Sequence, residues 1–223
     1  MILLHGHTDA PSLHFPADYV LALPDKAAEG RRPPLALLLH DLGKSSEQWL
    51  YSVRPEYVVD STGTALLIPD GRRSCFLNMA MGPAWGDYLQ KDLLPAVKKQ
   101  VCLSSAPPVV IGKGSSALGA LQFAAAMECV CALLDPDTVS PFIWESAVWP
   151  KGKEWAGVFA GLQENWKPAC FARVQGALIG KDEAIDRAVS VFGLGAWSRH
   201  PAAGLALEEK LLLALRISIS TPS

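Results

Sequence analysis

The feature that most constrains this chain is a rhythm. Short, unbroken apolar runs alternate with longer stretches whose apolar residues recur at helical spacing. Leu35-Ala36-Leu37-Leu38-Leu39, Val109-Val110-Ile111 and Val130 to Leu134 contain no polar side chain. A strand with one wet face alternates apolar and polar residues, so runs without alternation fit strands buried on both sides. The rhythm therefore predicts an α/β chain, with a mostly parallel central sheet and helices packed on both faces.

Individual elements follow from local signals. Tyr19 to Leu23 reads as an early strand ended by Pro24-Asp25, and a loop rich in charge and proline, Lys26 to Pro34, leads into the Leu35 run. Thr64 to Ile68 is the next strand, closed by Pro69-Asp70-Gly71. Trp85, Leu89, Leu93 and Val97 mark one face of a helix. After Val109-Val110-Ile111, glycine and serine lead at once into an alanine-rich helix, Leu118 to Met127. A further strand is expected within Phe171 to Ile179, and the last helices over Glu183 to Phe192 and Leu205 to Leu215.

With 223 residues, half of them hydrophobic, the chain is expected to form a single domain over 1–223 with a sizeable core. Twenty basic against twenty-two acidic residues leave no electrostatic footprint for nucleic acid, so no nucleic-acid partner is expected. The first residues lack a basic leader, and the most apolar stretch, Ala117 to Leu134, is interrupted by Gln122 and Glu128, so no membrane partner is expected either. Five cysteines without a framework spacing, in mostly apolar surroundings, read as reduced, buried thiols and a cytoplasmic protein.

Several separated motifs occur in one order: Leu38-Leu39-His40 after a strand, Trp49 in the following helix, Ile68-Pro69-Asp70-Gly71, Ser74-Cys75-Phe76-Leu77-Asn78-Met79, Trp85 with Tyr88, and Asp92-Leu93-Leu94-Pro95. Together they resemble the tributyrin esterase and esterase D (S-formylglutathione hydrolase) branch of the α/β-hydrolases, over about residues 18–135. The resemblance implies an α/β-hydrolase fold with a reduced carboxyl-terminal half. It also implies a serine esterase with a Ser-Asp-His triad, no cofactor, and a small ester or apolar molecule as ligand. A homo-oligomer stays open.

Such chemistry needs a nucleophile on a sharp strand-to-helix turn, the G-x-S-x-G elbow, and backbone N–H donors aimed at the developing oxyanion. Aligned without a gap, the elbow region reads Gly112-Lys113-Gly114-Ser115-Ser116-Ala117-Leu118-Gly119-Ala120-Leu121, with Gly114 at the nucleophile position. Glycine relieves the backbone conformation that the turn imposes but brings no attacking atom. Ser115 would have Lys113 two residues before it and Ala117 two after; Ser116 would have Gly114 before and Leu118 after. Neither satisfies both flanks, and Ser115 is the better candidate.

A second departure lies in the oxyanion loop, His40-Asp41-Leu42-Gly43, where Asp41 replaces a glycine. A carboxylate ~5 Å from a substrate oxyanion would repel it by about 3 kcal/mol at an effective dielectric near 20, roughly a hundredfold in rate. Asp41 is expected to pair with Lys44 or Lys113 instead. For the rest of the triad the resemblance offers Asp182, after a strand, and His200, before the final helix. Asp182 reads equally as a helix N-cap residue and His200 as a solvated loop histidine, because the segment between them is short for a full helix and a full strand.

His5-Gly6-His7-Thr8-Asp9, with His14 nearby, has the spacing of some metal sites, but the chain offers only His40 and His200 elsewhere. An edge strand or terminal loop is the expectation there, with no metal. Gly43-Lys44-Ser45 lacks the glycine of a phosphate-binding loop, since Leu38 stands five residues before Gly43, and Ser45 or Ser46 is expected to cap the next helix. Trp144, Trp149, Trp155 and Trp166 fall within or beside 140–168, expected to pack a covering helix onto the sheet.

Two functions remain. One is a short-chain carboxylesterase in which Ser115 attacks, His200 acts as base, Asp182 orients it, and the N–H groups of Leu42 and Ser115 or Ser116 hold the oxyanion. The other is a descendant with weak or lost activity that keeps the pocket for binding. Two altered motifs with separate geometric jobs, Asp41 and Gly114, favour the second.

Overall fold

A computed structural model describes residues 1–27, 30–79, 82–137 and 168–220. Its strands are β1 (Ile2–Thr8), β2 (Ala17–Leu23), β3 (Leu35–Leu39), β4 (Ala65–Pro69), β5 (Val109–Lys113), β6 (Cys131–Leu134), β7 (Gly176–Gly180) and β8 (Ser198–Pro201). They form one sheet in the order β1-β2-β4-β3-β5-β6-β7-β8. β2 pairs antiparallel with β1 and with β4, and all other pairs are parallel.

The apolar runs lie where their composition demands. Along β3, Leu37 and Leu39 face one layer and Ala36 and Leu38 the other, and all are buried. On the first side they meet α3, which spans 85–100, α4 (Ala117–Met127) and α5 (Asp182–Phe192), through Trp85, Tyr88, Leu93, Leu121 and Phe192. On the second side they meet α1 (Glu47–Ser52), α2 (Pro55–Thr62) and α6 (Leu207–Ser220) through Trp49, Val58, Leu211 and Leu215. Each fully buried aliphatic side chain contributes ~1.5–3 kcal/mol relative to exposure, so a strand buried on both faces anchors the sheet whatever lies at its ends.

Differences from the sequence reading are local. β1 is the antiparallel edge strand that the amino-terminal histidines left open, and in it His7 Nδ1 lies 2.6 Å from Asp18 Oδ1. Among the described residues no group of three or more His, Cys, Asp or Glu is placed to hold a metal. α3 passes through a π-helical stretch, Tyr88–Leu93, which keeps Trp85, Tyr88, Leu89 and Leu93 inward. The segment between Asp182 and His200 does hold both an eleven-residue helix and a four-residue strand. β6 and β8 are short, with four residues each. Cys75, Cys129 and Cys131 are buried, whereas Cys102 and Cys170 are exposed, so the expectation of uniformly buried thiols is corrected for those two. Trp144, Trp149, Trp155 and Trp166 lie outside the described residues. Among the described residues no helix is long and apolar enough to cross a membrane.

Candidate functional site

A tight turn follows β5 at the carboxyl edge of the sheet. Gly114–Ser116 forms a single 3-10 turn that runs directly into α4. Gly114 sits at φ +57°, in the left-handed region that disfavours a side chain. The turn packs closely because Gly119, one helical turn on, lets α4 approach the carbonyl of Cys75, leaving no room for a Cβ.

Opposite this turn lies the loop after β3, and its fixed point is His40. The ring Nε2 accepts a hydrogen bond from the Gly71 N–H at 2.9 Å. Nδ1 is then the protonated nitrogen, and it donates to the Asp41 carbonyl at 2.8 Å. Gln48 Oε1 accepts the Asp41 N–H at 2.8 Å. With its backbone held on both sides, Asp41 turns its carboxylate across to the turn after β5.

There the carboxylate takes the donors. Asp41 Oδ1 accepts the Ser115 N–H at 2.9 Å, the Leu42 N–H at 2.8 Å and the Ser115 hydroxyl at 2.6 Å. The Leu42 N–H is shared with Ser115 Oγ at 2.7 Å. A Cβ built on Gly114 would lie 2.5 to 2.6 Å from the Cγ and both carboxylate oxygens of Asp41. Gly114 and Asp41 are therefore one feature: the carboxylate fills the volume that a side chain at position 114 would need. Beneath them the Cys75 thiol is buried, and its pKa is pushed up to about 12, chiefly by burial, with a smaller push from the Asp41 and Asp137 carboxylates and a pull downward from the Ser115 hydroxyl. Cys75 and Phe76 both have positive φ, +50° and +58°, so the segment lining this end of the site is itself strained.

The expected pairing of Asp41 with Lys44 or Lys113 is corrected. Asp41 pairs with backbone N–H groups and a hydroxyl, whereas Lys113 Nζ lies 3.8 Å from Asp135 Oδ2. Asp135 follows β6 and is neutralised mainly by Lys210 of α6, whose Nζ lies 2.7 and 2.8 Å from its two oxygens. Register explains this: Lys113 pairs with Leu134, which puts its side chain on the α6 side of the sheet.

Leu42 and Ser115 supply the two N–H groups that converge, and Ser116 does not join them. The Ser116 hydroxyl is fully buried, accepts the Lys113 N–H at 2.9 Å and lies 2.9 and 3.1 Å from the carbonyls of Lys113 and Leu39. It ties the turn to the ends of β3 and β5. Asp182 is the first residue of α5, with Lys181 as N-cap, and is exposed. A carboxylate there complements the helix dipole.

His200 lies within β8 instead of in a loop beyond it, opposite Ile179. Lys113, Leu134, Ile179 and His200 form one row across four parallel strands. Three strand spacings of ~4.8 Å separate the His200 backbone from that of Lys113 by about 14 Å. Ile179 and Leu134 belong to the layer under α6, so His200 shares that side of the sheet. Its Nε2 is buried, with no hydrogen-bond partner among the described residues. Among the described residues Ser115, Asp182 and His200 make no hydrogen bond with one another.

No family model matches the chain, and no curated protein matches it. Solved structures do. The chain is similar to the fluorophosphonate-binding serine hydrolase F of Staphylococcus aureus, at 13% identity and a TM-score of 0.80, with 99% of each chain covered. It is similar to the S-formylglutathione hydrolase of the same organism, at 16% identity and a TM-score of 0.72, with 98% of each chain covered. A ferulic acid esterase matches at 16% identity and a TM-score of 0.72, over 97% of this chain and 95% of its own. The chain has the α/β-hydrolase fold. Within that frame the turn after β5 and the loop after β3 lie at the carboxyl ends of adjacent parallel strands. The sequence pointed to Asp41 as an intruder; that it takes over both donors and the space above Gly114 required the two loops to be seen face to face.

Proposed function

We propose that this protein is an esterase-like α/β-hydrolase-fold protein in which the ester-hydrolysing centre is filled from within, so that hydrolysis at the elbow is weak or lost and the cleft serves to bind a small molecule. One observation carries the reading. The Asp41 carboxylate occupies the Leu42 and Ser115 N–H groups and the space over Gly114 together. An ester carbonyl entering the cleft would need those same N–H groups as its charge developed, and removing even one such donor costs on the order of a hundredfold or more in rate. The fold of the serine hydrolases and esterases it resembles supports the lineage.

A second reading has an observation in its favour. The Ser115 hydroxyl donates to a carboxylate at 2.6 Å, the arrangement of a hydroxyl polarised by a base. It would make Ser115 a nucleophile with Asp41 as its base, without the imidazole of His200. Against it, the same oxygen that would take the proton sits on the oxyanion donors. A fluorophosphonate probe separates the readings. The first expects no labelling at Ser115 and no turnover of p-nitrophenyl butyrate above the Ser115→Ala background; stoichiometric labelling of Ser115 would overturn it in favour of the second.

A further inference from the structure

A cavity of about 860 Å³ lies at the other end of the strands from the turn at Gly114. Val109, the first residue of β5, lines it, whereas the turn follows the last, so about 13 Å of strand separates the two. Its remaining walls come from the carboxyl end of α4, the loop before β5, the segment 169–175 before β7, and α6. None of the lining residues belongs to the Asp41 cluster.

The volume falls within the range that holds a small organic ligand, and the lining narrows the choice. Ala124, Ala125, Ala169, Ala172, Pro107 and Pro108 make a wall of short apolar side chains, and the two prolines bring no N–H donor to it. Cys129 also lines it, and burial pushes that thiol up to about 12, so it carries no charge at neutral pH. The charged side chains of the lining are Arg173 and Glu128. Arg31 and Arg32, both exposed, stand just before Pro33-Pro34, and Pro34 is part of the wall, so three cations outweigh one carboxylate around the cavity. Ser218 of α6 lies there too, 4% exposed, and its hydroxyl is buried with no hydrogen-bond partner among the described residues. A buried hydroxyl left unpaired is costly, and a partner brought by a ligand removes that cost.

We infer that this cavity is a second binding site, taking a monocarboxylate with an apolar body, such as a medium-chain fatty acid. The apolar body covers the alanine and proline wall. The carboxylate accepts a hydrogen bond from the Ser218 hydroxyl and is drawn to the Arg173 guanidinium. A phosphate or a dicarboxylate would bring two charges to a lining with one cation. The site needs nothing from Asp41 or Ser115, and it holds whether or not the turn after β5 processes an ester.

The test uses the full chain and sodium decanoate below its micelle-forming concentration. Cys170 lines the cavity and Cys102 does not, while both are exposed. Saturating decanoate should slow the modification of Cys170 by iodoacetamide at least about fivefold and leave Cys102 unchanged. By isothermal titration calorimetry, Arg173→Gln should weaken decanoate binding about fivefold, whereas Glu128→Gln should leave it unchanged or tighten it. Ser218→Ala should weaken it about threefold without lowering the thermal midpoint, because the hydroxyl has no partner to lose in the free protein. Equal rates at the two thiols, opposite signs at Arg173 and Glu128, or decylammonium binding more tightly than decanoate overturns the assignment. Fluorophosphonate labelling of Ser115 reads the turn after β5 separately.

Discussion

Two stretches of the same sheet edge differ in kind. Where β3 and β5 end, Asp41, Leu42 and Ser115 form one hydrogen-bonded cluster over Gly114, with the buried Cys75 beside it. Where β7 and β8 end, Asp182 is exposed and makes no hydrogen bond or ion pair among the described residues, and His200 is held in a strand with its Nε2 likewise unpartnered among them. The contrast teaches that the sheet and the site answer to different constraints. Burial on both faces fixes the strands with no reference to what their ends do. A catalytic array has to be brought together by loops, and at the β8 end the chain stays in the ladder up to Pro201, with the Ala202 N–H bonded back to the Gly180 carbonyl.

The most severe test of this contrast is Gly114→Ser. Alone it should destabilise the protein by about 2–3 kcal/mol in urea titrations, since its Cβ meets the Asp41 carboxylate and its φ is left-handed. Adding Asp41→Gly should recover much of the loss, giving a coupling of about 1–3 kcal/mol; additive effects would mean that the two positions do not share one volume. The double variant should still hydrolyse p-nitrophenyl butyrate poorly, and efficient turnover abolished by His200→Ala would break the separation between the two ends of the sheet.

Asp41→Ala in the natural background should cost about 1–2 kcal/mol by the same titration, because a charge-assisted cluster of three donors is lost to water. Asp182→Ala at the other end should change stability by less than about 0.5 kcal/mol. Equal costs would erase the difference. The smallest expected effect is chemical. With its pKa pushed up to about 12 by burial, the Cys75 thiol stays protonated through neutral and mildly alkaline pH. Iodoacetamide at pH 8 should then modify Cys102 and Cys170 in the native protein and spare Cys75 until it is unfolded.

Much of the frame was legible before any coordinates. The strands at Leu35–Leu39 and Val109–Lys113 and the helix at Ala117–Met127 fall within two residues of the sequence reading, because long apolar runs and helical spacing carry their own period. β8 was not legible: Ser198-Arg199-His200-Pro201 has no apolar run, and it is a strand because β7 offers an unpaired edge. At the site, Gly114 and Asp41 could each be singled out one residue at a time, from the resemblance alone. Their relation could not, since positions 41 and 114 are distant in the chain and become neighbours only because β3 and β5 are adjacent in the sheet.

The sequence by itself determined the layered α/β frame and the chemical identity of the groups at the elbow, because hydrophobic period and residue type are local properties of the chain. Only the tertiary structure decided what those groups do to one another. A hydrogen bond, an occupied volume and the side of the sheet on which His200 lies are set by pairing between segments far apart in sequence, and that pairing put the Asp41 carboxylate against Ser115 and into the space over Gly114.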